Sequence, residues 1–302
     1  MTRRVQVIVN PASGRDEAIL GVLNEVFTGA GYQWDLTLTT ADGDTAELAR
    51  QAAEGADVVA AYGGDDTVTA VAAGLQGLDV PLAILPGGTA NILAQDLRIP
   101  MDLQQAASLI VEGSTRRCLD LGRVGDRYFS NRVSTGLLAS MVIGAEREAK
   151  NRFGELAYAF KGLQAALGEQ QNSLYTVEVD GETHEGEGVA AFIANTGNLS
   201  IPGVSFAPTV LLDDGLLDVL VIRRLDVDTV VSLVASAAQV GGATETLPYW
   251  QGRDITLTVD PPHPAAIDGE ELGQTPVTAT VVPAAIEVIV PPPADAGSGE
   301  AQ

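Results

Sequence analysis

The chain has 302 residues, 46% of them hydrophobic, and its 17 Lys and Arg against 40 Asp and Glu give a net charge of -23. That length supports a sizeable core in two domains of roughly 100–200 residues each, and the acidity excludes nucleic acid as a general partner. A single cysteine, Cys118, excludes an internal disulfide framework and suits a reducing compartment.

The opening MTRRVQVIVN enters a strand-like run at once, so no signal peptide is expected. Strand VQVIV (5–9) is followed by a helical pattern that puts Ile19, Leu23, Val26 and Phe27 on one face. YQWDLTLT (32–39) alternates as a strand, TAELARQAAE (45–54) reads as a helix, and DVVAAY (57–62) as a short apolar strand. Helix TVTAVAAGL (67–75), strand PLAILP (81–86) and the start of another helix, TANILAQDL (89–97), complete the first part. Strands alternating with helices predict a doubly wound parallel sheet, whose ligands gather beyond the carboxyl ends of its strands.

From about residue 117 the pattern changes to short strands split by turn signals such as Asp180-Gly181 and Asp214-Gly215. RCLDLGRVGDRYFSNRVS, LYTVEVDGETHEGEGVAAFIAN, LLDVLVI, DITLTVD and VTATVVPAAIEVIV predict an antiparallel β-sandwich. A helical insertion near 146–168 interrupts it, with Phe153, Leu156, Phe160, Leu163 and Leu167 on one stripe, read as core packing. The expected domains are therefore 1–116 and 117–290, with 291–302 as a disordered tail. Uncharged stretches such as FIANTGNLSIPGVSF are broken by Asn, Gly and Pro, so no transmembrane segment is predicted and a cytoplasmic protein is expected. Nine of the 17 Lys and Arg lie within 116–161 against five acids. That window reads as a solvated face laced with ion pairs or as a docking surface for an anionic partner.

Several nucleotide and metal chemistries fall away. The chain has no Gly-x-x-x-x-Gly-Lys-Ser/Thr and no Gly-x-Gly-x-x-Gly, and its only lysines are Lys150 and Lys161. Two separated histidines, His184 and His263, with one cysteine make a zinc site improbable. Three loops remain, each following a strand of the first sheet: Asn10-Pro11-Ala12-Ser13-Gly14-Arg15, Gly63-Gly64-Asp65-Asp66-Thr67 and Pro86-Gly87-Gly88-Thr89-Ala90-Asn91. Each combines glycine, which lets backbones approach closely, with a hydroxyl residue near a helix start. Their convergence on one sheet edge predicts an anion site.

NPASGR, GGDDT, PGGTAN, LLDDGLLDVLVI and IDGE, in that order over roughly residues 5–290, resemble the diacylglycerol kinase catalytic-domain family, specifically its soluble bacterial lipid kinases. The resemblance implies an N-terminal domain like those of phosphofructokinases and NAD kinases, then a β-sandwich, with ATP in the cleft between them. It implies transfer of the γ-phosphoryl group to a lipid hydroxyl, with Mg²⁺, by a protein that touches the membrane peripherally. Diacylglycerol is the default acceptor. A sphingoid base, NAD, or a non-catalytic nucleotide- or lipid-binding regulator remain alternatives, and a homodimer is compatible with the reading.

Carried over residue by residue, Asn10 and Ser13 would line the nucleotide site. Gly63, Gly64, Asp65 and Thr67 would hold phosphate and metal, and Gly87, Gly88, Thr89 and Asn91 would complete the cradle. Asp214 resembles the family's Mg²⁺ ligand, or is a simple turn aspartate. Asp268 matches the general base, assisted by Glu270, or is the Asp of an Asp-Gly hairpin turn. Asp66 departs from the family's usual glycine. It is read as N-cap of helix 67–75, as an extra metal contact, or as a change that weakens ATP use.

Overall fold

The computed structural model describes residues 3–13, 18–41, 43–112, 115–137, 139–140, 172–201, 204–205, 210–224 and 248–292. The predicted helical insertion at 146–168, Lys150 and Lys161 among its residues, and the last ten residues lie outside this set.

The elements in chain order are β1 (Arg4–Val9), α1 (Ile19–Gly29), β2 (Gln33–Leu38), α2 (Thr45–Ala52), β3 (Val58–Gly63), α3 (Asp65–Leu75), β4 (Leu82–Pro86), α4 (Ile92–Asp96) and α5 (Leu103–Val111). Strands follow: β5 (Thr115–Val124), β6 (Arg127–Phe129), β7 (Arg132–Gly136), β8 (Ser173–Val179), β9 (Glu182–Gly188), β10 (Ala190–Ala194), β11 (Asn198–Ile201), β12 (Val204–Ser205) and β13 (Leu217–Ile222). The last are β14 (Tyr249–Gly252), β15 (Asp254–Asp260), β16 (Pro264–Ile267), β17 (Glu270–Gln274) and β18 (Val277–Val290).

Two compact units divide the chain, one of Met1–Leu119 with Ala285–Gln302 and one of Asp120–Ala284. This differs from the expected division at 290, because Val288 near the end of β18 pairs in parallel with Leu82 of β4.

In the first unit the parallel order is β2-β1-β3-β4 followed by the end of β18. β3 and β4 are buried at every residue, as apolar strands covered by helices on both faces must be. Leu23 and Phe27 of α1 are buried, as the helical periodicity predicts. α5 was not anticipated. Its local signal is Asp102, whose carboxylate accepts the Gln105 N–H at 2.9 Å and caps the apolar LQQAASLIV.

The second unit is the predicted sandwich. One sheet runs β14-β13-β10-β7-β16-β17, and the other pairs β18, β15, β8 and β9 antiparallel. Val133, Ile193, Val219 and Ile267 from the first sheet meet Tyr175, Val177, Leu257 and Ala279 from the second in one apolar core. The alternating burial of β8 and β15 is the period-2 signature of such a face. Asp180 (φ 49°) and Gly181 (φ 90°) form the two-residue turn joining β8 to β9, as an Asp-Gly hairpin signal requires.

Candidate active site

In the first unit, the parallel pairing of β1, β3 and β4 brings the three glycine-containing loops to one carboxyl edge. Hydrogen bonds lace them together. Asn10 donates its N–H to the Tyr62 carbonyl at 3.0 Å, while Gly87 and Gly88 donate theirs to the Gly63 carbonyl at 2.9 and 3.1 Å. Asn10 Nδ2 donates to Thr67 Oγ1 at 3.0 Å, and the Leu93 N–H donates to Asp65 Oδ1 at 3.2 Å. The second and third loops are also in backbone contact. A Cβ on Gly88 would stand 2.4 Å from Gly64 Cα, and one on Gly63 would stand 2.5 Å from Thr67 Cβ. Glycine is required at both places for close approach.

The candidate nucleotide residues divide into a face and its foundation. Ser13, Gly64, Asp65 and Gly88 are partly exposed and Thr89 is exposed. Thr67 and Asn91 are buried, 5% and 4% exposed. Asn91 sits in left-handed backbone (φ 48°), and its side chain both accepts from the Gly88 N–H and donates to the Gly88 carbonyl, at 2.9 and 2.8 Å. Thr67 and Asn91 thus hold the loops in shape from beneath.

The assignment of Asp66 as N-cap is corrected. Helix α3 begins at Asp65, its N-cap is Gly64 without a side-chain bond, and both aspartates lie in the first turn. There they face the positive end of the helix dipole. Asp66→Gly removes a favourably placed charge and adds glycine to a helix, a cost of about 1 kcal/mol. Urea unfolding should read that loss with an unchanged m-value.

In the second unit, Asp268 (φ 45°) and Gly269 (φ 105°) form the turn between β16 and β17. The hairpin-turn reading is therefore correct as geometry, yet the carboxylate is also engaged. Its Oδ2 accepts the Ser130 N–H at 2.8 Å, and its Oδ1 accepts those of Asn131 and Arg132 at 3.0 and 2.9 Å. Three backbone donors fix its orientation. Glu270 is more exposed, and its carboxylate pairs with Arg127 at 2.5 Å.

Asp214 Oδ1 accepts the Leu216 N–H at 3.0 Å. Its pKa is raised by partial burial and further by the negative charges of Asp120 and Asp213. Among the described residues no group of three or more His, Cys, Asp or Glu side chains is assembled to hold a metal ion. The chemistry of the donors nevertheless suits Mg²⁺. Asp65 and Asp214 each keep one carboxylate oxygen clear of the hydrogen bonds described, and accumulated negative charge at Asp214 favours a hard cation.

Sequence reasoning gave no site role to three residues around these sites. Asp120, 3% exposed, accepts the Gly215 N–H at 2.6 Å and the Ala284 N–H at 2.7 Å. Asp218, fully buried, accepts from Tyr249 and Gln251. Asn195, also fully buried, donates to the carbonyls of Asp120 and Ser130. The available signal was a polar residue within or directly after an apolar strand: Leu119-Asp120-Leu121, Leu217-Asp218-Val219 and Ile193-Ala194-Asn195.

A parallel α/β unit with laced glycine loops and an antiparallel sandwich carrying buried carboxylates define a two-unit class. The chain belongs to the diacylglycerol kinase catalytic-domain family. Residues 4–124 match the family model "Diacylglycerol kinase catalytic domain", and 131–290 match "YegS C-terminal NAD kinase beta sandwich-like domain". The chain is 31% identical over 309 residues to an uncharacterised protein of Synechocystis sp., covering 96% of this chain and 71% of that one. It is 29% identical over 282 residues to a diacylglycerol kinase of Bacillus subtilis, covering 91% and 92%. A solved structure described as a putative diacylglycerol kinase from Bacillus anthracis superposes with a TM-score of 0.77 at 24% identity, over 96% of this chain and 98% of that one. At that identity the likeness speaks for the fold.

Proposed function

We propose that this chain transfers the γ-phosphoryl group of ATP to a lipid hydroxyl, with diacylglycerol as acceptor and phosphatidic acid as product. The observation that carries the reading is the hydrogen-bonded platform of three loops, with Ser13, Gly64, Asp65, Gly88 and Thr89 on its accessible side. Phosphoryl transfer is catalysed mainly by positioning and charge neutralisation, which a rigid backbone platform can provide. The name of the Bacillus subtilis relative favours diacylglycerol over other acceptors.

In this reading Asn10, Ser13, Gly63, Gly64, Thr67, Gly87, Gly88, Thr89 and Asn91 shape the nucleotide site. Asp65 would hold Mg²⁺, which when bound neutralises phosphate charge, and Asp214 is by itself a further candidate Mg²⁺ ligand. Asp268, with Glu270 beside it in sequence, receives the proton of the acceptor hydroxyl as its oxygen bonds to the γ-phosphorus and the bond to the departing ADP breaks. The acceptor implies peripheral contact with a membrane surface. No helix among the described residues is long and apolar enough to cross a membrane.

The test is labelled ATP with Mg²⁺ and a panel of acceptors in mixed micelles: diacylglycerol, a sphingoid base, and NAD as a soluble control. Label in phosphatidic acid is the expected result. Label confined to NAD, or in no acceptor, overturns the reading.

A further inference from the structure

We propose that Asn195 is the positioning residue that aims the backbone donors holding Asp268. The inference rests on the reading of Asp268 as general base, but its geometry can be tested apart from that reading. Asn195 directly follows β10 and has no solvent exposure. Its Nδ2 donates to the Ser130 carbonyl and to the Asp120 carbonyl, both at 3.0 Å. Its backbone N–H donates to the Asn131 carbonyl at 2.8 Å, joined there by the Thr196 N–H at 3.2 Å.

Those carbonyls belong to the peptide groups that face the carboxylate. The Ser130 C=O shares one planar peptide with the Asn131 N–H, and the Asn131 C=O shares the next with the Arg132 N–H. Both N–H groups donate to Asp268 Oδ1. Because each plane is rigid, fixing the carbonyl end fixes the direction of the N–H end. Asn195 grips both planes from behind while Asp268 sits in front of them. The Asp268 N–H donates back to the Arg132 carbonyl at 3.0 Å and closes the arrangement.

The choice of residue supports this. Asn195 Oδ1 is buried without a hydrogen-bond partner. A leucine of similar size would avoid that unsatisfied oxygen, so the amide earns its place through the two bonds that Nδ2 makes. Its second bond, to the Asp120 carbonyl, reaches the residue whose carboxylate accepts the Gly215 N–H beside Asp214. One side-chain amide therefore ties the Asp268 turn to the Asp214 turn.

Asn195→Leu keeps the size and removes the donor. In the folded variant, kcat for lipid phosphorylation should fall about 10–100-fold, with the KM for ATP little changed, as expected when a reacting group is misplaced. Amide hydrogen exchange at Asn131 and Arg132 should quicken by a similar factor while the amides of β15 keep the parent rate. Asn195→Ser, smaller and able to admit water, repeats the comparison should the leucine not fold. A folded variant with parent exchange at Asn131 and Arg132, or with loosened exchange and unchanged kcat, overturns the inference. Failure of both variants to fold would make Asn195 a residue of the fold alone and overturn it equally. If the parent phosphorylates no lipid yet exchange loosens as described, the geometry stands and the function assigned to Asp268 falls.

Discussion

Asp268→Asn should lower turnover by about 10²–10⁴-fold, the usual worth of a general base. The structure adds a second consequence. Both oxygens of Asp268 accept backbone N–H groups, with Oδ1 serving Asn131 and Arg132 and Oδ2 serving Ser130. An asparagine that keeps its oxygen on the first pair turns its NH₂ toward the Ser130 N–H, donor against donor. That mismatch should cost about 1–3 kcal/mol of stability. The expected result is a folded but less stable protein with near-parent KM for ATP and a greatly reduced kcat. A folded variant with near-parent kcat removes Asp268 from the role of base. Asp268→Ala should share both effects. It avoids the opposed donors but leaves all three N–H groups without their acceptor, so its stability loss should be at least as large and its turnover equally low.

The parts of this protein that were legible in the sequence are those in which a local rule and the fold agree. β3 and β4 are apolar runs that end in glycine and proline, β1 runs from VQVIV into Asn10-Pro11, and parallel pairing alone is enough to gather the loops after them. The sandwich announced itself through alternation in β8 and β15, and the Asp180-Gly181 turn through residues that tolerate positive φ. What escaped depends on partners distant in sequence. Asp66 could be placed as a cap because nothing local distinguishes N-cap from first turn; the close contact of Gly64 with Gly88 belongs to a loop 24 residues away. Asn91 is legible as part of the third loop, but the closure of its side chain on Gly88 is not. Asp268 illustrates both limits. Its Asp-Gly sequence suffices for a turn, but the donors that orient its carboxylate come from Ser130–Arg132, well over a hundred residues earlier.

Asp218→Asn should stabilise the protein at neutral pH and do nothing at pH 4. Asp218 lies on β13 opposite Gln251 of β14, with Tyr249 two residues along the same strand. Its Oδ1 takes both Tyr249 and Gln251 as donors, while its Oδ2 is buried without a partner. Burial pushes its pKa from the ordinary 3.8 to about 6; the bonds from Tyr249 and Gln251 oppose that rise, and the charge of Asp214 adds to it. A carboxyl whose folded pKa is raised binds its proton more tightly when folded. Its contribution to stability is therefore most favourable below the unfolded value and declines as pH rises through about 4 to 6. The shift corresponds to roughly 3 kcal/mol of lost stability once the group is ionised. Asparagine keeps an oxygen for Tyr249 and Gln251 and cannot ionise, so only the cost of an unpaired neutral amide remains. Melting curves of parent and variant in chelator, from pH 4 to pH 8, should diverge by several degrees with the variant higher at the alkaline end. Taking the difference between the two proteins cancels every other titrating carboxylate. A gap that stays constant across that range would show that folding does not raise the pKa of Asp218.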